Sequence, residues 1–196
     1  MKIVQAPNQV LSTVAARINK IDKSTKDFLA VMEKTLTSAS DPEGVGLAAP
    51  QVGKSLQIFI IKPTPDSKIQ TFINPVIEEF FDTSVGKKEK VYQSANTAKV
   101  KKKAKIDKGV QLEGCLSLQD IWGVVKRHYG VVLSYQDETG KKHKESFDGF
   151  LSVIIQHEYD HLQGILFPKR VLEQKTKLYK SSKNKKGETE FEELSI

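Results

Sequence analysis

The stretch Gly149-Phe150-Leu151-Ser152-Val153-Ile154-Ile155-Gln156-His157-Glu158-Tyr159-Asp160-His161-Leu162 reads as one helix around which the rest of the chain is organised. Phe150, Val153, Ile154, His157 and His161 recur at helical spacing and share one stripe. The two histidines therefore continue the apolar, core-facing side. On a helix, residues i and i+4 lie one above the other on a single face. Two neutral imidazoles placed so can grip one divalent ion, with Glu158 beside it. That layout activates water with a metal and moves its protons with a carboxylate, which points to a metallohydrolase. The competing reading of both histidines is core packing with hydrogen-bonded rings. Gly164 is expected to end the helix, and Pro168 to bar its return.

Two histidines supply two ligands, whereas a catalytic site usually takes three from the protein and leaves a position for water. Cys115, the one cysteine, sits in Glu113-Gly114-Cys115-Leu116-Ser117, flanked by strand-like sequence. A thiolate from a strand beside the helix would complete a Cys-His-His set; the alternative is a small buried hydrophobe. Upstream, Gly44-Val45-Gly46-Leu47-Ala48-Ala49-Pro50-Gln51-Val52-Gly53 is a loop of small residues. Its glycines miss the spacing of a phosphate loop. Gly44 and Gly46 would let a substrate backbone come close, and the Gln51 amide can donate to an oxyanion. Taken alone, the loop reads better as a tight turn between a helix and a strand.

Working outward, residues 25–38 carry Phe28, Leu29, Met32 and Leu36 at helical spacing, with Ser24 or Thr25 as the cap. Gln57-Ile58-Phe59-Ile60-Ile61 reads as a buried strand stopped by Pro63 and Pro65. Thr71-Phe72-Ile73 and Val76-Ile77 are expected as a pair of strands on either side of Asn74-Pro75. Val124-Val125, Tyr129 to Tyr135 and Lys142 to Phe147 suggest further strands, the last two joined by a turn at Asp137-Glu138-Thr139-Gly140. Lysines crowd residues 86–109, a density that favours an extended, solvated loop or hairpin. The C-terminal stretch is Lys-rich through Lys186 and acidic from Glu188 to Glu193. The division expected is a catalytic domain over 1–172, with a Lys-rich insertion at 86–109, and a charged tail over 173–196.

The 196 residues suffice for one domain with a sizeable core. A net charge of +7, concentrated in the two lysine segments, suggests acidic partners, RNA-rich ones included. A single cysteine excludes an intrachain disulfide and fits a reducing compartment. No secretory signal is legible at the start of the sequence, and no apolar run approaches the ~20 residues needed to span a membrane. These features lead to the expectation of a soluble cytoplasmic protein with neither membrane nor DNA among its partners.

Gly44-Val45-Gly46-Leu47-Ala48-Ala49-Pro50-Gln51, Glu113-Gly114-Cys115-Leu116-Ser117 and His157-Glu158-Tyr159-Asp160-His161 occur in this order. Together they resemble the three signature motifs of the peptide deformylases. The resemblance runs from about residue 3 to residue 172, apart from the Lys-rich segment. It implies a hydrolase that removes the formyl group from the N-terminal formyl-methionine of newly synthesised proteins and releases formate. Cys115, His157 and His161 would be the metal ligands. Fe(2+) is the family's usual ion, with Zn, Ni or Co able to occupy the site. Glu158 would carry the proton from the attacking water to the leaving amine. Gln51 and the Leu116 N–H would stabilise the oxyanion. The substrate, an N-formylmethionyl nascent peptide, would lie extended between Val45-Gly46 and Glu113-Gly114, pairing as an added strand. Its methionine pocket would be walled by Val45, Phe150, Val153, Ile154 and His157. Asp160 would orient the helix or a neighbouring group.

Two departures from the family pattern stand out. Gln119 replaces a proline that commonly follows the second motif, and Trp122 stands where many bacterial members carry arginine. Both border the expected groove. The Lys-rich segment at 86–109 is longer than the family's usual connection and could be a solvated hairpin or an RNA contact. The basic stretch Lys175 to Lys186 is the better candidate for ribosome contact, since some members dock through a C-terminal helix. Two other readings remain. A zincin-type metallopeptidase would need a further ligand downstream of His161, where Glu173 is available, but it leaves Cys115 and Gln51 without roles. A ribosome- or RNA-binding module with a structural metal would need a fourth ligand, which His128 and His143 do not obviously supply. The fold implied is α+β, with mixed, largely antiparallel sheets around a central metal-binding helix at about 149–162 and the 25–38 helix packed outside.

Overall fold

A computed structural model describes residues 1–39, 44–82 and 112–195. The Lys-rich segment at 86–109 lies outside the described residues. Three α-helices, α1 (Lys23–Thr37), α2 (Gly149–Leu162) and α3 (Phe167–Glu173), accompany nine strands. These are β1 (Gly46–Ala48), β2 (Ile58–Ile61), β3 (Gln70–Phe81), β4 (Leu112–Cys115), β5 (Leu118–Val124), β6 (Gly130–Gln136), β7 (Lys142–Asp148), β8 (Leu178–Lys183) and β9 (Thr189–Leu194). They form a five-stranded sheet in the order β1-β2-β3-β6-β7 and a four-stranded sheet in the order β4-β5-β8-β9. Among the described residues every pairing between named strands is antiparallel, and the parallel component is one isolated bridge, Ala16 to Leu56. The α+β architecture with a central helix is as expected.

Period-two alternation in β2 explains the layering. Successive strand side chains point to opposite faces, and all four β2 residues are buried. Ile58 and Ile60 pack with Leu29, Met32 and Leu36 of α1. Phe59 and Ile61 pack with Ile154, Ile155 and Leu162 of α2, beside Phe72, Val131, Leu133 and Phe147. The five-stranded sheet is thus covered by α1 on one face and α2 on the other. A third cluster, with Phe167 and Val171 of α3 against Cys115 and Leu178, backs the four-stranded sheet.

Four local expectations need correction. Helix α1 starts earlier than the apolar stripe suggests. Its N-cap is Asp22, whose carboxylate accepts the Thr25 N–H at 3.1 Å, while Ser24 donates to that same carboxylate. The ionised side chain is the stronger acceptor for the unpaired first-turn donors. Thr71–Ile73 and Val76–Ile77 are one strand rather than two. The register of β3 shifts between Ile73 and Val76, and this bulge admits Pro75. Asn74, at φ 50°, holds the bulge by exchanging two 2.7 Å hydrogen bonds with the Ile18 backbone. Pro168 does not stop helix formation; it sits in the first turn of α3, where its missing N–H has no partner to lose. Finally, residues 178–194, expected only as part of a charged tail, form a β-hairpin that extends the β4-β5 sheet through pairing of β5 with β8.

Helix α2 is buried more widely than one stripe. Ser152, Ile154, Ile155, Gln156, Glu158, Asp160, His161 and Leu162 are all buried, whereas Phe150, Val153 and His157 are half-buried. A helix enclosed on most sides belongs in the centre of its domain. It ends as expected. Gly164 adopts φ +67°, and a Cβ there would lie 2.7–2.9 Å from the Ser12 and Thr13 backbone. Only glycine meets both conditions.

Candidate active site

The two sheets meet at their edges. Strand β1, carrying Gly46-Leu47-Ala48, ends one sheet, and β4, carrying Leu112-Glu113-Gly114-Cys115, ends the other. The N-terminal segment ties them together. Val4 N–H donates to the Gln51 carbonyl, Ala6 N–H to the Ser117 carbonyl, and the Gln5 side-chain amide to the Leu116 carbonyl. The three sequence motifs, far apart along the chain, converge at this seam with α2 behind it.

Cys115, His157 and His161 each offer a ligand atom, and all three atoms lie within 4.8 Å of one another. Cys115 Sγ is 3.3 Å from His161 Nε2. Ligands held ~2.0–2.3 Å from a tetrahedral ion are themselves about 3.5 Å apart, so this donor set fits one. His157 Nδ1 faces Glu113 Oε2 at 3.1 Å, which leaves Nε2 for an ion. Burial opposes a charge on His157, but hydrogen bonds to Cys115 and Glu113 outweigh it and raise the imidazole well above its ordinary value. His161 is pushed well below its ordinary value by burial, then by the charges of His157 and Arg127, and so stays a neutral donor.

Gln51 is buried, and its side chain has a fixed orientation. Its Oε1 accepts the Ala48 N–H at 2.8 Å, which turns the amide NH₂ toward Cys115 Sγ, 3.5 Å away. The donors of Gln51 therefore face the ligand cluster. Glu158 is buried too, and its Oε2 has no hydrogen-bond partner among the described residues. Desolvation is the largest influence on its carboxyl, pushing it up to about 7. A buried carboxylate poised near neutrality beside a ligand cluster is suited to proton transfer. Gly46 makes room for it: a Cβ at that position would lie 2.8 Å from Glu158 Cδ and 2.9 Å from Cγ.

Behind the ligands runs a buried ionic network that motif reading missed. Arg127 Nε and Nη2 clasp the Glu113 carboxylate at 2.8 and 3.0 Å, and Nη1 reaches Asp160 Oδ2 at 2.6 Å. Arg170, on α3, holds Asp160 from the other side at 2.7 and 3.1 Å. Burial works against ionising Glu113, but the bonds from His157 and Arg127 prevail and lower its carboxyl to about 2. Asp160 thus orients α2 through two arginines, as expected of a residue outside the ligand set. Arg127 follows Lys126 in a connector with no periodicity to mark it; its only sequence signal is that the buried carboxylates need a partner.

Of the expected pocket residues, Val45 and Phe150 pack on the same core cluster that includes Ile154, and Val153 is half-buried one turn from His157. Gly114 lies on β4 opposite Trp122.

A helix-borne pair of imidazoles, completed by a thiol from a sheet edge and flanked by a buried carboxylate poised near neutrality, defines a metal-dependent hydrolase. The family model for polypeptide deformylase matches residues 1–177. A peptide deformylase of Treponema pallidum is 34% identical over 165 residues, covering 84% of each chain. Peptide deformylase 1 of Bacillus cereus is 34% identical over 171 residues, covering 87% of this chain and 92% of its own. Among solved structures, a Synechococcus elongatus peptide deformylase in complex with actinonin superposes with a TM-score of 0.68 at 32% identity, covering 86% of this chain and 77% of that one. The Thermotoga maritima enzyme gives 0.65 at 28% identity, covering 86% and 95%. The chain belongs to the polypeptide deformylase family. It is a hydrolase that removes the N-formyl group from nascent peptides, and its Cys115, His157 and His161 are able to hold a metal ion.

Proposed function

We propose that Cys115, His157 and His161 hold one Fe(2+), with Zn, Ni or Co able to substitute, and that Glu158 is the proton carrier for deformylation of formyl-methionyl peptides. The observation that carries this reading is the buried Glu158 carboxyl beside the three-donor cluster, its Oε2 without a hydrogen-bond partner among the described residues. Thiolate with imidazole suits several of these ions. When bound, the ion supplies Lewis acidity and makes water a nucleophile near neutral pH.

The chain's own residues do the rest. Glu158 accepts a proton from the water that attacks the formyl carbon, then delivers it to the amine as the C–N bond breaks and formate leaves. The Gln51 NH₂, already turned inward, and the Leu116 N–H donate to the oxygen that gains charge, an effect worth about 3 kcal/mol per donor. The edges of β1 and β4, with no further strand on them among the described residues, take the peptide as an added strand, through Val45-Gly46 on one side and Glu113-Gly114 on the other. Val45, Phe150, Val153 and Ile154 wall the methionine pocket.

A cytoplasmic location is part of this proposal. The only cysteine is a buried free thiol, and no described helix is long and apolar enough to cross a membrane. Ribosome contact through Lys175–Lys186 would have to work against charges already facing it. Lys177 pairs with Glu193 at 2.8 Å, and Lys180 lies opposite Glu192 on β9. Such contact is therefore expected to be weak and lost as salt rises.

The test is formate release from formyl-Met-Ala-Ser by Fe(2+)- or Ni-loaded protein, beside Glu158→Ala and Cys115→Ala. Activity lost in both, with metal retained by Glu158→Ala and weakened in Cys115→Ala, supports the roles assigned. Turnover by Glu158→Ala within tenfold of the parent refutes the proton-carrier role.

A further inference from the structure

We propose that Trp122 is a specificity-determining residue, an aromatic wall that selects apolar side chains in the substrate residue paired opposite Gly114. The inference rests on the edge-strand reading of the groove given above. Gly114 and Trp122 are directly opposed in the β4-β5 ladder. A Cβ on Gly114 would lie 2.8, 2.9 and 3.0 Å from three carbons of the indole six-membered ring. The ring therefore leans across the glycine and covers it, filling the place where a side chain of β4 would stand.

That position matters because β4 is the edge of its sheet. Directly opposed residues of neighbouring strands project to the same face, 4.5–5.5 Å apart. A peptide residue pairing with Gly114 meets no side chain on its immediate neighbour. The first surface it reaches on that face is the Trp122 ring, which has been drawn toward the edge. The ring is also fixed. Its Nε1–H donates to Ser181 Oγ at 3.1 Å, and it packs edge-on against Phe191, with centroids 5.8 Å apart. Both anchors belong to the β8-β9 hairpin, so the C-terminal segment shapes the substrate edge without lying in it. A half-buried, immobilised indole offers large apolar contact at small entropic cost. A cross-strand aromatic contact of this kind corresponds to roughly a two- to fivefold preference.

Because the chain contains one tryptophan, its emission reports on this wall alone. The experiment measures kcat/KM for two peptide series, formyl-Met-X-Ser and formyl-Met-Ala-X, with X as Gly, Ala, Leu or Phe. It uses the metal-loaded protein, Trp122→Phe and Trp122→Ala. In parallel, tryptophan emission is recorded in Glu158→Gln as formylated peptides are titrated in. The parent should favour Leu or Phe over Gly about two- to fivefold in one series, mainly through KM, and that series fixes the register. The ratio should fall to near one in Trp122→Ala and be partly kept in Trp122→Phe. Emission should shift with peptide, more for Phe than for Gly. An unchanged ratio in Trp122→Ala, or emission indifferent to saturating peptide, overturns the proposal. Should Trp122→Ala fail to fold, Trp122→Phe and the parent's emission still decide it. Absence of formate from every peptide would count against the deformylation chemistry, while the emission titration would separately show whether a peptide seats beside Trp122.

Discussion

Replacing Arg127 by methionine tests whether the ionic network behind the ligands holds the site together. The side chain is 7% exposed and donates to two carboxylates at once. Asp160 would keep Arg170, but Glu113 would keep only His157. The cost therefore falls on Glu113. Its carboxyl sits at about 2 in the folded protein against an ordinary 4.5, a difference worth about 3 kcal/mol at neutral pH, of which His157 supplies a part that survives in the variant and Arg127 the rest. Breaking a buried ion pair from one side costs about 3–5 kcal/mol, and the lost bond to Asp160 adds to Arg127's share at Glu113, so a total near the lower end of that range is expected. The sign follows from the depressed value. This stability is fully present above pH ~4.5 and is lost as pH falls toward ~2. Urea unfolding of metal-stripped Arg127→Met should show a loss of about 3 kcal/mol at pH 7 that shrinks at pH 3. The variant should also bind its ion about 10–100-fold more weakly, because Glu113, no longer clasped by Arg127, orients the His157 ring less firmly. A loss below about 1 kcal/mol at pH 7, or one independent of pH, would refute the reasoning.

Other outcomes are open to direct test. Gly46→Ala should displace the Glu158 carboxylate, lowering kcat by about 100-fold while metal content by elemental analysis stays at the parent level. Gln51→Leu should lower kcat by about 10²–10³-fold with little change in KM, since the amide donors act on charge that develops only during reaction. Removing the ion with a chelator should lower the melting temperature. Readdition at a thousand times its dissociation constant should restore about 4 kcal/mol, read by calorimetry. A melting temperature indifferent to metal would argue against a site assembled from both sheets.

The cluster of Cys115, His157 and His161 was legible in two ways. His157 and His161 sit one helical turn apart, whereas Cys115 and Gln51 stood out only when the three motifs were read together. Helix α2 was placed from Gly149 to Leu162 by periodicity and by Gly164, both of which act within a few residues. What stayed hidden was non-local. Nothing near Arg127 predicts that it will span Glu113 and Asp160, which are brought together only by packing. Trp122 was marked as a departure, but its place over Gly114 depends on strand register. The C-terminal segment looked like a charged tail because lysines and glutamates dominate it. The hairpin buries Leu178, Tyr179, Ser181 and Phe191, a sparse set among those charges with no clean period-two pattern to mark it. Asn74-Pro75 looked like a break because a bulge that absorbs a proline depends on Ile18, far away in sequence.

The distribution of charge along the sheet edges carries one more lesson. The outer strands are guarded: β7 bears exposed Lys142, Lys144 and Glu145, and β9 bears exposed Glu192 and Glu193. The inner edges, β1 and β4, instead each carry a glycine and expose no charged side chain, the Glu113 carboxylate of β4 being buried against Arg127. An unprotected strand edge invites any extended chain to pair with it, and an enzyme working on unfolded polypeptides meets such chains continually. Charge closes the two rims where a stray segment would start a fibril or a tangle, and the one seam left sticky is the one that ends at the ligand cluster. Adhesion to unfolded protein, a hazard elsewhere on a sheet, is here confined to the place where it is the first step of turnover.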